Sequence, residues 1–181
     1  MLRFFVLLFS LFFHLTSYGI QPNIVNFKNI DNKKGLASDF GNIGNYYEEQ
    51  DNDDKALEYY QKALKTSEEI GDIYSIAINQ GYIGSYYDDN NNFTKALEYY
   101  NKAIKNFKDI GDKYGMATYI SSVGTFYYNQ NNYAKAVEHI NQSKKLYEEI
   151  GNKYGVSGNL AFIGLINNDL KKFKEAIYYN N

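Results

Sequence analysis

Residues 83–103 read IGSYYDDNNNFTKALEYYNKA. Forty positions earlier, residues 43–63 read IGNYYEEQDNDDKALEYYQKA, and forty positions later, residues 123–143 read VGTFYYNQNNYAKAVEHINQS. Gly44, Gly84, Gly124 and Gly164 keep this step, as do Ala56, Ala96, Ala136 and Ala176, and Gly71, Gly111 and Gly151. A period of this length marks an array of supersecondary units, each burying its apolar face against the next.

Within a unit, apolar residues recur three and four apart, which lines one face of a helix and not of a strand. Each unit is therefore expected to be a pair of helices. The second helix starts after Asn52, Asn92 or Asn132, whose short side chains can accept from unpaired first-turn N–H groups. It stops at Gly71, Gly111 or Gly151, where a residue without Cβ can take the left-handed conformation. Asp72, Asp112 or Asn152 follows and can cap the next helix. The units are residues 32–71, 72–111 and 112–151, with an incomplete fourth at 152–181 that ends before its second helix is finished.

The front of the chain differs. Arg3 precedes a dense apolar stretch from Phe4 to Phe13, and Ser17-Tyr18-Gly19 offers small residues at the spacing of a cleavage site. Residues 1–19 read as a signal peptide and residues 20–31, with Pro22, as a linker. The expected location is exported, periplasmic or secreted, with an uncleaved membrane anchor as the competing reading; His14, Thr16 and Ser17 shorten the apolar run below the roughly 18 residues a span needs.

The registered positions resemble the small-and-large signature of tetratricopeptide repeats: Ile43-Gly44, Tyr47, Ala56, Tyr60 and Ala63, then Ile83-Gly84, Tyr87, Ala96, Tyr100 and Ala103. The third unit keeps Gly124, Tyr127 and Ala136 but has Ile140 and Ser143; the fourth keeps Gly164 and Ala176 but has Asn167 for Tyr. A repeat of about forty residues resembles the long-helix variant of that family. The resemblance implies an all-α fold, an α-solenoid of stacked antiparallel helix pairs forming a right-handed superhelix, with an inner groove lined by the first helices. Gly44 and Ala56 are expected to face each other, with Tyr47 and Tyr60 filling the space beside them.

The resemblance also implies where a ligand touches. Transferred by register, the candidate groove is Asn45, Glu48 and Glu49; Ser85, Asp88 and Asp89; Thr125, Tyr128 and Asn129. The family's best-known ligand mode is a Lys, Arg and Asn clamp on a C-terminal carboxylate. Here Gly, Ser, Thr and Ala stand at those places and only Asn45 is shared, so that mode is not expected. A groove of small polar residues with an acidic edge suits a basic or neutral protein or peptide, although acids beside a turn also serve simply to solubilise it.

Chemistry is sparse. The formal charge is −2 and no Lys/Arg run suits a phosphate backbone, so nucleic acid is not expected as a partner. The absence of Cys removes thiolate nucleophiles, disulfides and Cys-based zinc sites. His139 stands in the register of Tyr59 and Tyr99, as a substitute in an aromatic ladder and not as a base. Asp88, Asn90 and Asn92 alternate like the start of a calcium loop, yet Phe93 occupies the place of its tight-turn Gly. No catalytic constellation, cofactor or metal is expected. The functional expectation is an interaction scaffold, alone or as the exported sensory part of a larger signalling protein; the alternative is a structural component of an envelope assembly.

Overall fold

The computed structural model describes the backbone of residues 24–180 and the side chains of Ile30 and residues 32–171. Seven helices and no strand run through these residues: α1 (Ile24–Glu48), α2 (Asp53–Ile70), α3 (Ile73–Asp89), α4 (Phe93–Asp109), α5 (Lys113–Asn129), α6 (Tyr133–Glu149) and α7 (Lys153–Asn180). Each packs against the next, most closely within the pairs α1/α2, α3/α4 and α5/α6. First helices also touch first helices, α1 with α3 and α3 with α5, which puts them on the inner side of an all-α solenoid.

The ends of the helices follow from local chemistry. Gly71, Gly111 and Gly151 hold φ of 70°, 73° and 69°. Asp72 accepts from the Ser75 N–H, Asp112 from Tyr114 and Gly115, and Asn152 from Gly155. Asn92 and Asn132 accept from Lys95 and Lys135, whereas the Asn52 side chain makes no such cap bond. A further device closes the first helices: Asp51, Asn91 and Asn131 take φ of 54°, 59° and 58°. Among non-glycine residues, Asp and Asn tolerate that region best.

Gly84 faces the Tyr100 ring, to which a Cβ would come within 2.8 Å; Gly44 faces Tyr60 in the same way at 2.5 Å, and Gly124 faces Ile140 at 2.6 Å. This adds to the expected contact: Ala56, Ala96 and Ala136 are buried, the Ala136 carbonyl oxygen lies 3.4 Å from a Cβ built on Gly124, and the atoms nearest each glycine belong to the large side chain one turn further along the second helix. Tyr47 stacks on Tyr59 (5.5 Å between centroids), Tyr87 on Tyr99 (5.7 Å) and Tyr127 on His139 (5.3 Å). Lys55, Lys95 and Lys135 lie over the first ring of each stack. His139 thus serves as an aromatic plate.

Two further expectations need correction. Residues 24–31, read as linker, are helical and open α1; the proposed signal peptide, residues 1–19, lies outside the described residues. The fourth unit is a single helix, not a pair, because α7 runs unbroken to Asn180. Forty positions beyond Asn131 and Asn132 stand Lys171 and Lys172, and a lysine neither favours the left-handed turn nor accepts from a helix N-terminus. Among the described residues, Gly164 accordingly has nothing within 4 Å of where its Cβ would lie and packs against none of them as Gly44, Gly84 and Gly124 do. Ala176 lies outside the residues whose side chains are described.

Candidate functional site on the inner face

The inner side of the solenoid carries α1, α3, α5 and α7, and the candidate groove residues sit on it with different degrees of commitment. The buried Tyr60 hydroxyl, with a single proton to give, lies within hydrogen-bond reach of two acceptors, Glu48 Oε2 at 2.6 Å and Asn45 Oδ1 at 2.8 Å. Burial and the Glu48 carboxylate together raise the Tyr60 phenol well above its ordinary range. One repeat on, Tyr100 donates to Ser85 Oγ at 3.2 Å, and burial pushes its pKa up to about 12. At the third repeat Ile140 takes the place of the tyrosine, and Thr125 turns its hydroxyl to the Ser121 carbonyl at 3.2 Å. Tyr128 donates to Asp169 at 2.6 Å, tying α5 to α7. Glu49 and Asn129 are exposed.

Asp88 and Asp89 mark the acidic edge between the first two units. Burial raises the Asp88 carboxyl above its ordinary range, and Asp89 raises it further. Burial does the same to Asp89, with Asp53 and Glu48 adding to it. Asp54 accepts from the Tyr86 hydroxyl at 3.0 Å. Among the described residues no group of three or more His, Asp or Glu side chains is arranged to hold a metal ion, and no helix is long and apolar enough to cross a membrane.

What the repeat pattern alone did not single out is one internal register, residues 79, 119 and 159, where a first helix meets the preceding unit. Tyr119 lies over Gly81, so closely that a Cβ there would fall 1.9 Å from the ring; its hydroxyl donates to the Ile78 carbonyl at 3.3 Å. The ring stacks on Phe107 at 5.6 Å and fills the space between α3 and α5. Asn159 and Asn79 occupy the same register in the flanking units. Where the smaller asparagine replaces the ring, cavities open: about 360 Å³ between α5 and α7 and about 240 Å³ between α1 and α3. The signal was present as the alternation Asn79, Tyr119, Asn159 in one register, but its meaning depends on what the neighbouring unit places against it.

The two asparagines differ in their partners. Asn159 is satisfied on both sides: its Nδ2 donates to Ser143 Oγ at 2.8 Å, and its Oδ1 accepts from Ser121 Oγ at 3.1 Å. Asn79, only 4% exposed, donates Nδ2 to the Ser75 carbonyl at 2.8 Å, while no described residue donates to its Oδ1.

Comparison with known proteins agrees with this architecture. Residues 36–109 match a family model described as "Tetratricopeptide repeat". No match is found among curated protein sequences. Among solved structures, the apo form of RapI superposes with a TM-score of 0.68 at 18% identity, covering 81% of this chain and 41% of that one. A signal transduction ATPase with numerous domains and a tetratricopeptide repeat sensor, from Pyrococcus horikoshii, gives 0.68 at 22% identity over 81% of this chain and 23% of that one. BtubC from P. vanneervenii gives 0.56 at 17% identity over 75% and 65%. The chain thus spans less than two thirds of the length of each of these structures, and at such identities the likeness is one of fold. Tetratricopeptide repeats are in general scaffolds for protein–protein interaction and typically non-catalytic. Residues 36–109 are thus similar in sequence to tetratricopeptide repeats, and the described chain shares an all-α solenoid fold with these structures, its 17-residue helices being compatible with a repeat of about forty residues.

Proposed function

We propose that the inner face of α1, α3, α5 and α7 is a groove that holds a segment of a protein or peptide partner, basic or neutral in charge, and that the chain works as an exported binding scaffold. The observation that carries this reading is the acidic edge. Asp88 and Asp89 sit where burial and the neighbouring carboxylates Asp53 and Glu48 oppose their ionisation. A cationic group laid across that edge relieves the repulsion, so the free protein holds a local cost that the complex removes. Export rests on the apolar run Phe4 to Phe13 and the Ser17-Tyr18-Gly19 site. A place in the sensory part of a larger signalling protein is the finer form of the same reading, by analogy with the repeat sensor of the Pyrococcus horikoshii ATPase.

The test is selection of a displayed random-peptide library on the purified protein, followed by amide-shift mapping. Enriched peptides of net positive or zero charge that perturb α1, α3 and α5, and that weaken on Asp88→Asn/Asp89→Asn, are expected. Enrichment of acidic peptides, or mapping to the outer helices, refutes the reading.

A further inference from the structure

We infer that the cavity between α1 and α3 is a side-chain specificity pocket for a primary carboxamide, that is, for an Asn or Gln side chain of the bound partner. This rests on the reading of the inner face as a peptide groove and adds what one position of that groove selects.

Three registered positions decide how a unit junction is built. At the α3/α5 junction they are Gly81, Ala103 and Tyr119, and the ring fills the space over the glycine. At the α5/α7 junction they are Ser121, Ser143 and Asn159, and two hydroxyls satisfy the amide. At the α1/α3 junction they are Gly41, Ala63 and Asn79. This junction combines the small residues of the first solution with the asparagine of the second. None of these three positions supplies a ring or a hydroxyl. The nearest side-chain atom to a Cβ built on Gly41 is Asn79 Oδ1, at 3.9 Å, where Ser121 would place its hydroxyl in the other junction.

The chemistry at this point is specific. The orientation of the Asn79 amide is set by the Ser75 carbonyl, which can only accept, so Nδ2 must face it and Oδ1 must face away. A buried carbonyl without a donor costs free energy that a ligand N–H recovers. The cavity of about 240 Å³ lies against the Asn79 side chain, lined also by Ser38, Gly41, Asn45, Tyr74, Ser75 and Tyr82, none of them charged. An ammonium ion would enter without a carboxylate on the wall and lose more hydration than one neutral acceptor returns. A carboxylate would meet Asn79 acceptor to acceptor. Asn45 adds a second primary amide to the wall, held within 2.8 Å of the Tyr60 hydroxyl. A group bringing both N–H and C=O, flat enough to lie beside the Tyr82 ring, matches this set. Because Asn79 is 4% exposed, the backbone of a ligand lying on the face does not reach it and a side chain does.

The experiment uses the full chain and the probe N-acetyl-glutamine N-methylamide, whose side chain is its only primary carboxamide, with the isosteric N-acetyl-glutamate N-methylamide and N-acetyl-lysine N-methylamide as controls sharing its backbone. Amide spectra are recorded during titration to tens of millimolar. Saturable shifts at Gly41, Asn45 and Asn79 are expected with the glutamine probe and at least fivefold weaker effects with the other two. Gly41→Ser, which supplies the hydroxyl that Ser121 gives Asn159, should abolish the response while leaving the rest of the spectrum in place. Equal response to all three probes, no response to glutamine, or an unaltered response in Gly41→Ser overturns the assignment. Peptides selected on the groove that still bind in any of those cases would leave the groove reading intact, so the two failures are separable.

Discussion

Asn159 on α7 donates to the Oγ of Ser143 on α6 at 2.8 Å, and Ser143 in turn donates to the Ala117 carbonyl at 2.7 Å on α5. One buried hydroxyl therefore joins three helices across a unit boundary. Ser143 stands where the other units have Ala63 and Ala103, so the departure from the repeat pattern is explained by the asparagine that faces it.

Replacing Ser143 by Ala should cost about 1–3 kcal/mol, since it leaves a buried amide donor without its acceptor. The triple variant Ser121→Gly, Ser143→Ala, Asn159→Tyr rebuilds the Gly81, Ala103, Tyr119 set and should restore stability to the wild-type level. Urea midpoints check both, and a triple variant no better than Ser143→Ala would count against the junction rule.

Glycines sharing one register should respond with opposite sign. Gly84→Ala forces a Cβ to within 2.8 Å of the Tyr100 ring, an overpacking that costs about 1–3 kcal/mol. Gly164→Ala meets nothing within 4 Å among the described residues and lies inside α7, so it should stabilise by about 0.5–1 kcal/mol through reduced backbone entropy. Thermal unfolding of the two variants distinguishes them.

Stability should fall as the pH drops below 6.5. Burial lowers the pKa of His139 from the ordinary 6.5, opposed by Glu138 and assisted by Lys135. The unfolded chain then binds the proton more readily than the folded one, so stability is lost as pH falls through the unfolded value. Asp88 and Asp89, with raised pKa values, act in the opposite sense. The difference between wild type and His139→Tyr, followed by urea unfolding between about pH 7.5 and 5.5, isolates the histidine; a difference that does not change with pH would show that its protonation is immaterial.

Asp88→Asn and Asp89→Asn should raise the urea midpoint at neutral pH, because each removes a charge whose ionisation the fold opposes. The same changes should weaken capture of a basic peptide and flatten its salt dependence. A gain in stability with unchanged binding would assign the acids to solubility alone.

The exported chain should begin at Ile20, after the Ser17-Tyr18-Gly19 site. Intact mass of material from the exported fraction decides it, and Met1 retained in the membrane fraction would indicate an anchor.

Much of this architecture was legible in the chain itself. The forty-residue step, the left-handed glycines at 71, 111 and 151 and the capping Asp72, Asp112 and Asn152 are local devices, acting within one or two turns of backbone. They determine where helices stop and start without reference to a neighbour. The same local chemistry accounts for the straight run of α7, since Lys171 and Lys172 replace the turn-forming pair. Which residue faces Gly44, whether a buried asparagine is satisfied, and where a cavity opens were decided only by the tertiary structure. Those properties belong to pairs of positions: Asn79 and Asn159 are the same residue in the same register, and the preceding unit gives one of them a serine and the other a glycine.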